Sequence, residues 1–370
     1  MSGFEAAVSV APVTLPRPAL KSMIRLVKAL FALSRNRRYR EYLSPSLPEV
    51  ARFDPGHDAV MMGFDFHVTG AVPSLIEVNT NAGGGLLAHW AHHPGEAAGT
   101  LALPRRLEEL LRYSFLREME AFSAGRQQLP RRLAIVDEQP GEQFLYPEML
   151  AFRELFTRWG IPAAIVDPQE LVAGAEGVFH DGEPVDFIYN RHCDFYLESE
   201  AMAGLRAAYL ARKLCLSPNP HVYGLLADKR RLALWTDREA MASLGVSPAV
   251  LDLLAETVPE SRMMAAMDPD TLWQQRKEWV FKPVDRFGSR GVLLGRKISR
   301  SRFDQLEPEQ TLVQRLVEPS VTASGDEVMK TDFRLYVYRD RVLGVTARLY
   351  QGQVTNMRTP GGGFAPVHIR

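Results

Sequence analysis

Apolar residues return with helical period near the start of the chain. Met23, Ile24, Leu26, Val27, Leu30 and Phe31 fall on one side and basic residues on the other, which predicts an amphipathic helix over residues 19–43. The pattern then shortens. Val60 to Val68 and Ser74 to Asn79 are β-rich runs around the loop Thr69-Gly70-Ala71-Val72-Pro73, the mark of a hairpin. Thr80 to Gly85 is a glycine-rich turn, and residues 104–123 regain helical character.

A fresh start follows the polar stretch Gly125 to Pro130. Leu133 to Val136 reads as a buried strand, Tyr146 to Trp159 as a helix, Pro162 to Val166 as a second strand and Val185 to Tyr189 as a third. Strand, helix and strand in alternation predict a small α/β unit with a parallel sheet. Residues 201–214 and 223–235 read as helices. In the last third, Trp279 to Lys282 is a strand entering the loop Asp285 to Gly291, and Val292 to Leu294 leaves it. Thr311 to Val317 is another strand, and Phe333–Tyr338 with Val342–Leu349 form a hairpin across Arg339-Asp340-Arg341.

At roughly 100–200 residues per domain, the 370 residues suggest two or three units. The pattern divides them at 1–125, 126–217 and 218–370. The apolar share of 46% and the charged share of 24% are those of a soluble globular protein. Lys+Arg number 44 and Asp+Glu 44, which excludes a general nucleic-acid binder. Two cysteines, Cys193 and Cys215, build no disulfide framework and point to a reducing, cytoplasmic setting. No apolar run approaches the ~18 residues of a membrane span. Met1 to Pro18 lacks the basic, then apolar, order of a signal peptide. Oligomeric state is not legible.

The charge balance hides local structure. Arg131 to Glu200 holds 5 basic and 14 acidic residues, a net of −9. Arg276 to Arg300 holds 8 basic and 2 acidic, a net of +6, and Lys330 to Arg370 holds 7 and 2, a net of +5. Basic residues beside glycines suggest a small polyanion such as a nucleotide.

Four constellations carry chemistry. Glu77 and Asn79 lie two apart on a strand and share a face, and Asp65 on the partner strand can join them. Two carboxylates and an amide oxygen make a hard site suited to Mg²⁺ that is also held by phosphates. Lys282 sits inside an apolar strand, where an ammonium needs a partner, and a phosphate would be one. The glycines of the loop that follows let the backbone approach phosphates. Arg334, Arg348, Asn356 and Arg358 place forked donors on or beside the last hairpin. Thr311 to Pro319 is an apolar strand ending in a polar link, whose backbone groups suit an adenine edge, with Glu318 for ribose hydroxyls.

Other signals are bland or missing. No Gly-x-x-x-x-Gly-Lys-Ser/Thr, Gly-x-Gly-x-x-Gly or Gly-x-Ser-x-Gly pattern occurs. Cys193 follows His192, but adjacent strand residues point to opposite faces, so no nucleophile pair is indicated. The basic run Arg35 to Arg40 reads as a solvated helix end.

Together these pieces resemble the ATP-grasp superfamily in circularly permuted order, and are similar to glutathionylspermidine synthetase and eukaryotic glutathione synthetase. Phe64-Asp65-Phe66 followed by Leu75-Ile76-Glu77-Val78-Asn79 resembles the synthetase metal-ligand segment. Asn219-Pro220 with Asp228-Lys229 resembles the opening of the nucleotide part, and Phe281-Lys282-Pro283 its second lysine. Gln314 to Glu318 stands where the adenine hinge would be. Arg348 with Thr355-Asn356 and the final glycines resembles the closing segment. The motifs span residues 60–85 and 219–366. The loop Asp285-Arg286-Phe287-Gly288 departs from the more Gly- and Glu-rich stretch of the synthetases, which leaves open whether Asp285 supplies a ligand.

The resemblance implies an α/β (α+β) ATP-grasp fold with an inserted small parallel α/β domain, and ATP and Mg²⁺ as cofactors. It implies a ligase joining a carboxylate to an amine through an acyl phosphate, with peptides and polyamines among the candidate substrates. The acidic middle unit would help attract a cationic amine, though a solvated acidic surface is the better explanation of its charge. Asp65, Glu77 and Asn79 would hold the metal. Lys229, Lys282, Gly288, Ser289, Gly291, Gln314, Leu316, Glu318, Arg334 and Asn356 would contact the nucleotide. Lys282 and Arg348 would act on the transferring phosphoryl group, and Arg191 is a candidate for a substrate carboxylate. A nucleotide-binding regulator without turnover and a small-molecule kinase are the alternatives.

Overall fold

The computed structural model describes residues 7–92, 103–286, 288, 290–325, 327–356 and 358–370. The first helical pattern forms two helices, not one. Arg17–Ser34 ends at Arg35, and Arg37–Leu43 starts afresh. Asn36 makes the break: its side chain accepts from the N–H groups of Arg38 and Tyr39 and caps the second helix. Three of the four arginines in the basic run are paired locally, Arg35 with Asp58, Arg37 with Glu41 and Arg40 with Asp54.

The hairpin forms as expected from Met62–Thr69 and Val72–Asn79. Its register slips once. Asp65 pairs with Glu77, but Phe66 pairs with Leu75, so Ile76 is left over in a bulge. The hairpin is then extended by the end of the chain. Glu327–Tyr338 lies antiparallel to Met62–Thr69, with Asp65 opposite Arg334 and Phe66 opposite Phe333. Arg341–Tyr350, Gly363–Ala365 and Ser320–Ser324 complete a six-stranded sheet. Helix Arg17–Ser34 covers it through Met23, Leu26, Val27 and Leu30, which share a core with Phe64, Phe66, Leu75 and Phe333.

A second sheet is wholly parallel, in the order Cys215–Ser217, Phe187–Asn190, Leu133–Val136, Ala163–Val166. Three details differ from the sequence expectation. The third strand starts at Phe187 because the Asp186 carboxylate accepts the N–H groups of Arg131 and Arg132 (3.0 and 3.2 Å). The helix expected to reach residue 214 stops at Leu210, Arg212 turns left-handed (φ 53°), and the strand Cys215–Ser217 follows. The run Leu214-Cys215-Leu216 is too short for periodicity to distinguish strand from helix. Residues 223–235 form a π-turn, Tyr223–Ala227, then a helix, Arg230–Thr236. Asp228 separates them, its carboxylate capping the Arg230 N–H at 2.9 Å.

The parallel sheet docks on the glycine-rich turn. Glu148, on the helix Tyr146–Arg158, accepts from the N–H groups of Gly84 and Leu86 at 2.8 and 2.9 Å. An aromatic cluster of Phe115, Phe152, Phe156, Phe187 and Tyr189 fills the space beneath. A third sheet, antiparallel, runs Ser261–Met263, Thr311–Arg315, Trp279–Pro283, Leu293–Leu294. Among the described residues no helix is long and apolar enough to cross a membrane.

Phe66 is fully buried where the first hairpin meets the last. Phe66→Ala should cost about 3–5 kcal/mol of stability. Urea unfolding with an unchanged m-value checks this.

Candidate functional site

A cleft opens between the six-stranded sheet and the third sheet. Its floor comes from Asp65, His67 and Glu77 on the first hairpin and from Asp332 and Arg348 on the last. Its other wall comes from Val280, Lys282 and the stretch Gln314 to Pro319. Asp65, Glu77, Lys282, Arg348 and the hinge residues Gln314, Leu316 and Glu318 therefore converge, half of the fourteen candidates, although they come from opposite ends of the chain.

Register decides their contacts. Directly opposed residues on neighbouring strands interact most closely. Asp65 opposes Arg334, and its carboxylate takes both arms of that guanidinium, Nε to Oδ1 and Nη2 to Oδ2, each at 2.6 Å. Arg348 reaches the same Oδ2 from the next strand, Nη2 at 2.9 Å. Arg348 itself opposes Asp332 and donates Nε–H to Oδ1 at 2.6 Å. Thr355 donates its hydroxyl to the other Asp332 oxygen at 2.6 Å. All four charged groups are buried. Burial alone would raise the Asp65 pKa; the Arg334 and Arg348 guanidiniums outweigh it and hold the carboxyl far below the usual carboxylate range.

Lys282 is buried at the end of its strand. Its Nζ donates to the Gln314 side-chain oxygen at 2.5 Å and to the Ile76 carbonyl at 3.0 Å. The bulge makes the second bond available, because Ile76 is the residue left out of the ladder. Burial, with Lys229 nearby, lowers the Lys282 pKa to about 8, against the pull of Glu77. Lys229 donates from Nζ to the Arg286 carbonyl at the start of the 285–291 loop. Gly291 (φ +75°) needs to be glycine: a Cβ there would sit 2.9 Å from Pro283 Cγ. Gly288 is exposed and also left-handed (φ 60°); Ser289 lies outside the described residues.

The expected hinge is partly committed to the protein. The Leu316 N–H donates to the Glu278 carbonyl at 2.8 Å. His67 bonds through Nδ1 to the Val317 carbonyl at 2.7 Å. Since a carbonyl only accepts, Nδ1 carries the proton. Burial lowers the His67 pKa and keeps the ring neutral near pH 7. Glu318, expected at the ribose, pairs with Arg296. Asn356 is exposed and closes its own turn, accepting the Arg358 N–H at 3.0 Å. Arg191 is buried and braces the glycine-rich turn, with Nη1 2.9 Å from the Ala82 carbonyl and 3.3 Å from the Tyr189 hydroxyl. That is not the open carboxylate receptor expected.

The partners of the three expected metal ligands test their fit to a divalent cation. Among the described residues no group of three or more His, Cys, Asp or Glu is placed to hold one. Glu77 and Asn79 stand together: Asn79 Nδ2 donates to Glu77 Oε1 and to Asp65 Oδ2, each at 3.2 Å, and its amide oxygen is the atom that would ligate a cation beside the Glu77 carboxylate. That pair suits Mg²⁺, which keeps waters and shares phosphate oxygens. Asp65 is engaged otherwise, because both its oxygens carry guanidinium contacts. Sequence reasoning missed Asp332, Arg296 and the Ile76 carbonyl. Asp332 carried a usable signal, since it is two residues before Arg334 on the same strand face. Nothing local announced the other two.

No protein-family model and no curated protein matches the sequence. Solved structures do match. A glutathione synthetase-like effector from Globodera pallida, in its apo form, superposes with a TM-score of 0.60 at 11% identity, covering 98% of this chain and 90% of that one. A putative gamma-glutamylcysteine synthetase from Methylobacillus flagellatus KT superposes with a TM-score of 0.56 at 12% identity, covering 97% and 89%. At such identities the likeness is one of fold.

The lowered Lys282 pKa has a stability consequence of definite sign. Between about pH 8 and the ordinary lysine value of 10.5, the unfolded chain holds a proton that the folded chain has lost. Stability from this group therefore rises with pH across that window and is lost as pH falls through about 8. Denaturant midpoints of wild type and Lys282→Met, measured from pH 7 to 10, should diverge in slope, the variant lacking this rise.

Proposed function

We propose that this chain, which has the ATP-grasp fold of glutathione synthetase-like proteins, is an ATP-dependent carboxylate–amine ligase that releases ADP and phosphate. One observation carries the reading: a buried lysine, the Glu77 carboxylate with the Asn79 amide bonded beside it, and a doubly anchored arginine are gathered at one cleft on that fold, Lys282, Glu77 and Arg348 lining it directly. The permuted order of the motifs belongs to the same reading.

Gln314 to Glu318 receive the adenosine part along the hinge, and Lys282 and Lys229 bind the phosphates. The pull of a phosphate on the Lys282 ammonium offsets the burial that lowers its pKa. Glu77 and Asn79 would hold Mg²⁺, which would supply positive charge against the phosphates. Arg348 meets the terminal phosphoryl oxygens. A substrate carboxylate oxygen attacks the γ-phosphorus and the bond to the ADP oxygen breaks, leaving an acyl phosphate. The neutral amine attacks the carbonyl carbon, the carbon–oxygen bond to phosphate breaks, and the amine proton leaves with solvent. Closure by the 285–291 loop keeps water from the acyl phosphate. Positioning and fixed charge supply the rate, so no side-chain nucleophile is required.

Incubation with ATP, Mg²⁺ and a pool of carboxylates, with and without amines, tests this. ADP release that requires both substrates, with a condensation product by mass spectrometry, is the expected result. Release with a carboxylate alone and a stable phosphorylated product indicates a kinase. ATP binding without any release indicates a regulator. Glu77→Gln should lower ADP release at least 100-fold, the order of a lost electrostatic contact to the transition state. Its thermal midpoint should stay near wild type, and retained turnover would refute the ligand role.

A further inference from the structure

Asp332 was not marked by the sequence, yet it sits at the centre of the cleft's polar chain. The residue is 2% exposed. One oxygen takes the Arg348 Nε–H and the other the Thr355 hydroxyl, each at 2.6 Å. A buried carboxylate is tolerated when its oxygens are occupied, and here both are. Arg348 is gripped on a second side by Asp65, at Nη2. A guanidinium is planar, so fixing Nε and Nη2 fixes the plane. Among the described residues its Nη1 makes no hydrogen bond, and Arg348 lines the cleft together with Gln353, Val354 and Thr355. The charges also balance, two carboxylates against two guanidiniums, so Arg348 offers the cleft an aimed donor more than an excess charge.

We propose that Asp332 is a positioning residue for Arg348, and that Thr355 ties the turn after the last long strand to the same carboxylate. The orientation of the arginine and the seating of that turn against the cleft are then one arrangement. Loss of either bond to Asp332 loosens the other end. This rests on the reading of Arg348 as the group that meets the terminal phosphate, and it adds the residues that aim it.

The test is discrimination between nucleotides with and without that phosphate. Calorimetry with Mg²⁺ and either ADP or the non-hydrolysable analogue AMPPNP yields an affinity ratio for each variant. Arg348→Met should abolish the preference for AMPPNP. Asp332→Asn should reduce the ratio about tenfold, the scale of a hydrogen bond to a charged group. Thr355→Val should reduce it several-fold; this half-buried site keeps the test alive if Asp332→Asn fails to fold. General loosening of the fold weakens both nucleotides equally and leaves the ratio alone, so a change in the ratio reports aim. If Arg348→Met leaves the ratio unchanged, the terminal-phosphate reading falls and the proposal with it. If Arg348→Met abolishes the preference but Thr355→Val and any folded Asp332→Asn keep the wild-type ratio, the positioning role alone is overturned.

Discussion

Asp65 is buried at 2% exposure between two arginines that must be paired somewhere. Removing one partner from a buried ion pair typically costs about 3–5 kcal/mol, because the other charge stays behind unpaired. That penalty makes the Asp65, Arg334, Arg348 and Asp332 chain a constraint on the whole molecule. It is satisfied only if Met62–Thr69, Glu327–Tyr338 and Arg341–Tyr350 lie side by side in one register. A slip by one residue would bury the charges among Phe64, Phe66 and Leu335 and expose those residues in return. Apolar burial supplies the driving force, and the ion pairs select the register.

From that sheet the rest of the cleft follows by contact. The bulge at Ile76 turns a backbone carbonyl toward the third sheet, where Lys282 takes it. His67 makes a second crossing to Val317. Two bonds thus join the walls of the cleft without filling it. On the other flank, Arg334 and Tyr336 reach the Gly83 carbonyl at 3.3 and 3.0 Å, while Glu148 holds the N–H groups beyond it. Gly83 admits this crowding because a Cβ there would lie 2.3 Å from Arg191 Nη2. The glycine-rich turn is therefore where the parallel sheet and the charged sheet are fastened together.

Element type was legible where the pattern was long or flanked by clear breaks. Helix Tyr146–Arg158, strand Leu133–Val136 and the hairpin at 62–79 needed no tertiary information. The errors fell where one side-chain cap outweighed periodicity, at Asn36, Asp186 and Asp228. Each is a short polar side chain that offers the backbone an alternative partner, and none interrupts the apolar pattern. The strand Cys215–Ser217 was missed for a different reason: three fully buried residues carry no period.

The amino-acid sequence by itself determined the chemistry available: one lysine inside an apolar strand, a Glu-x-Asn pair before a glycine-rich turn, and arginines on the closing hairpin. It also determined the order of the elements, and through them the fold class. Only the tertiary structure decided how those groups are spent. Asp65 faces two arginines because cross-strand register places Arg334 opposite it, and register is set by pairing across a sequence separation of 269 residues. Lys282 meets the Ile76 carbonyl because a bulge elsewhere frees it. Residue types are local facts, but partners depend on how distant strands align, and that alignment minimises buried charge and exposed apolar surface over the whole sheet at once.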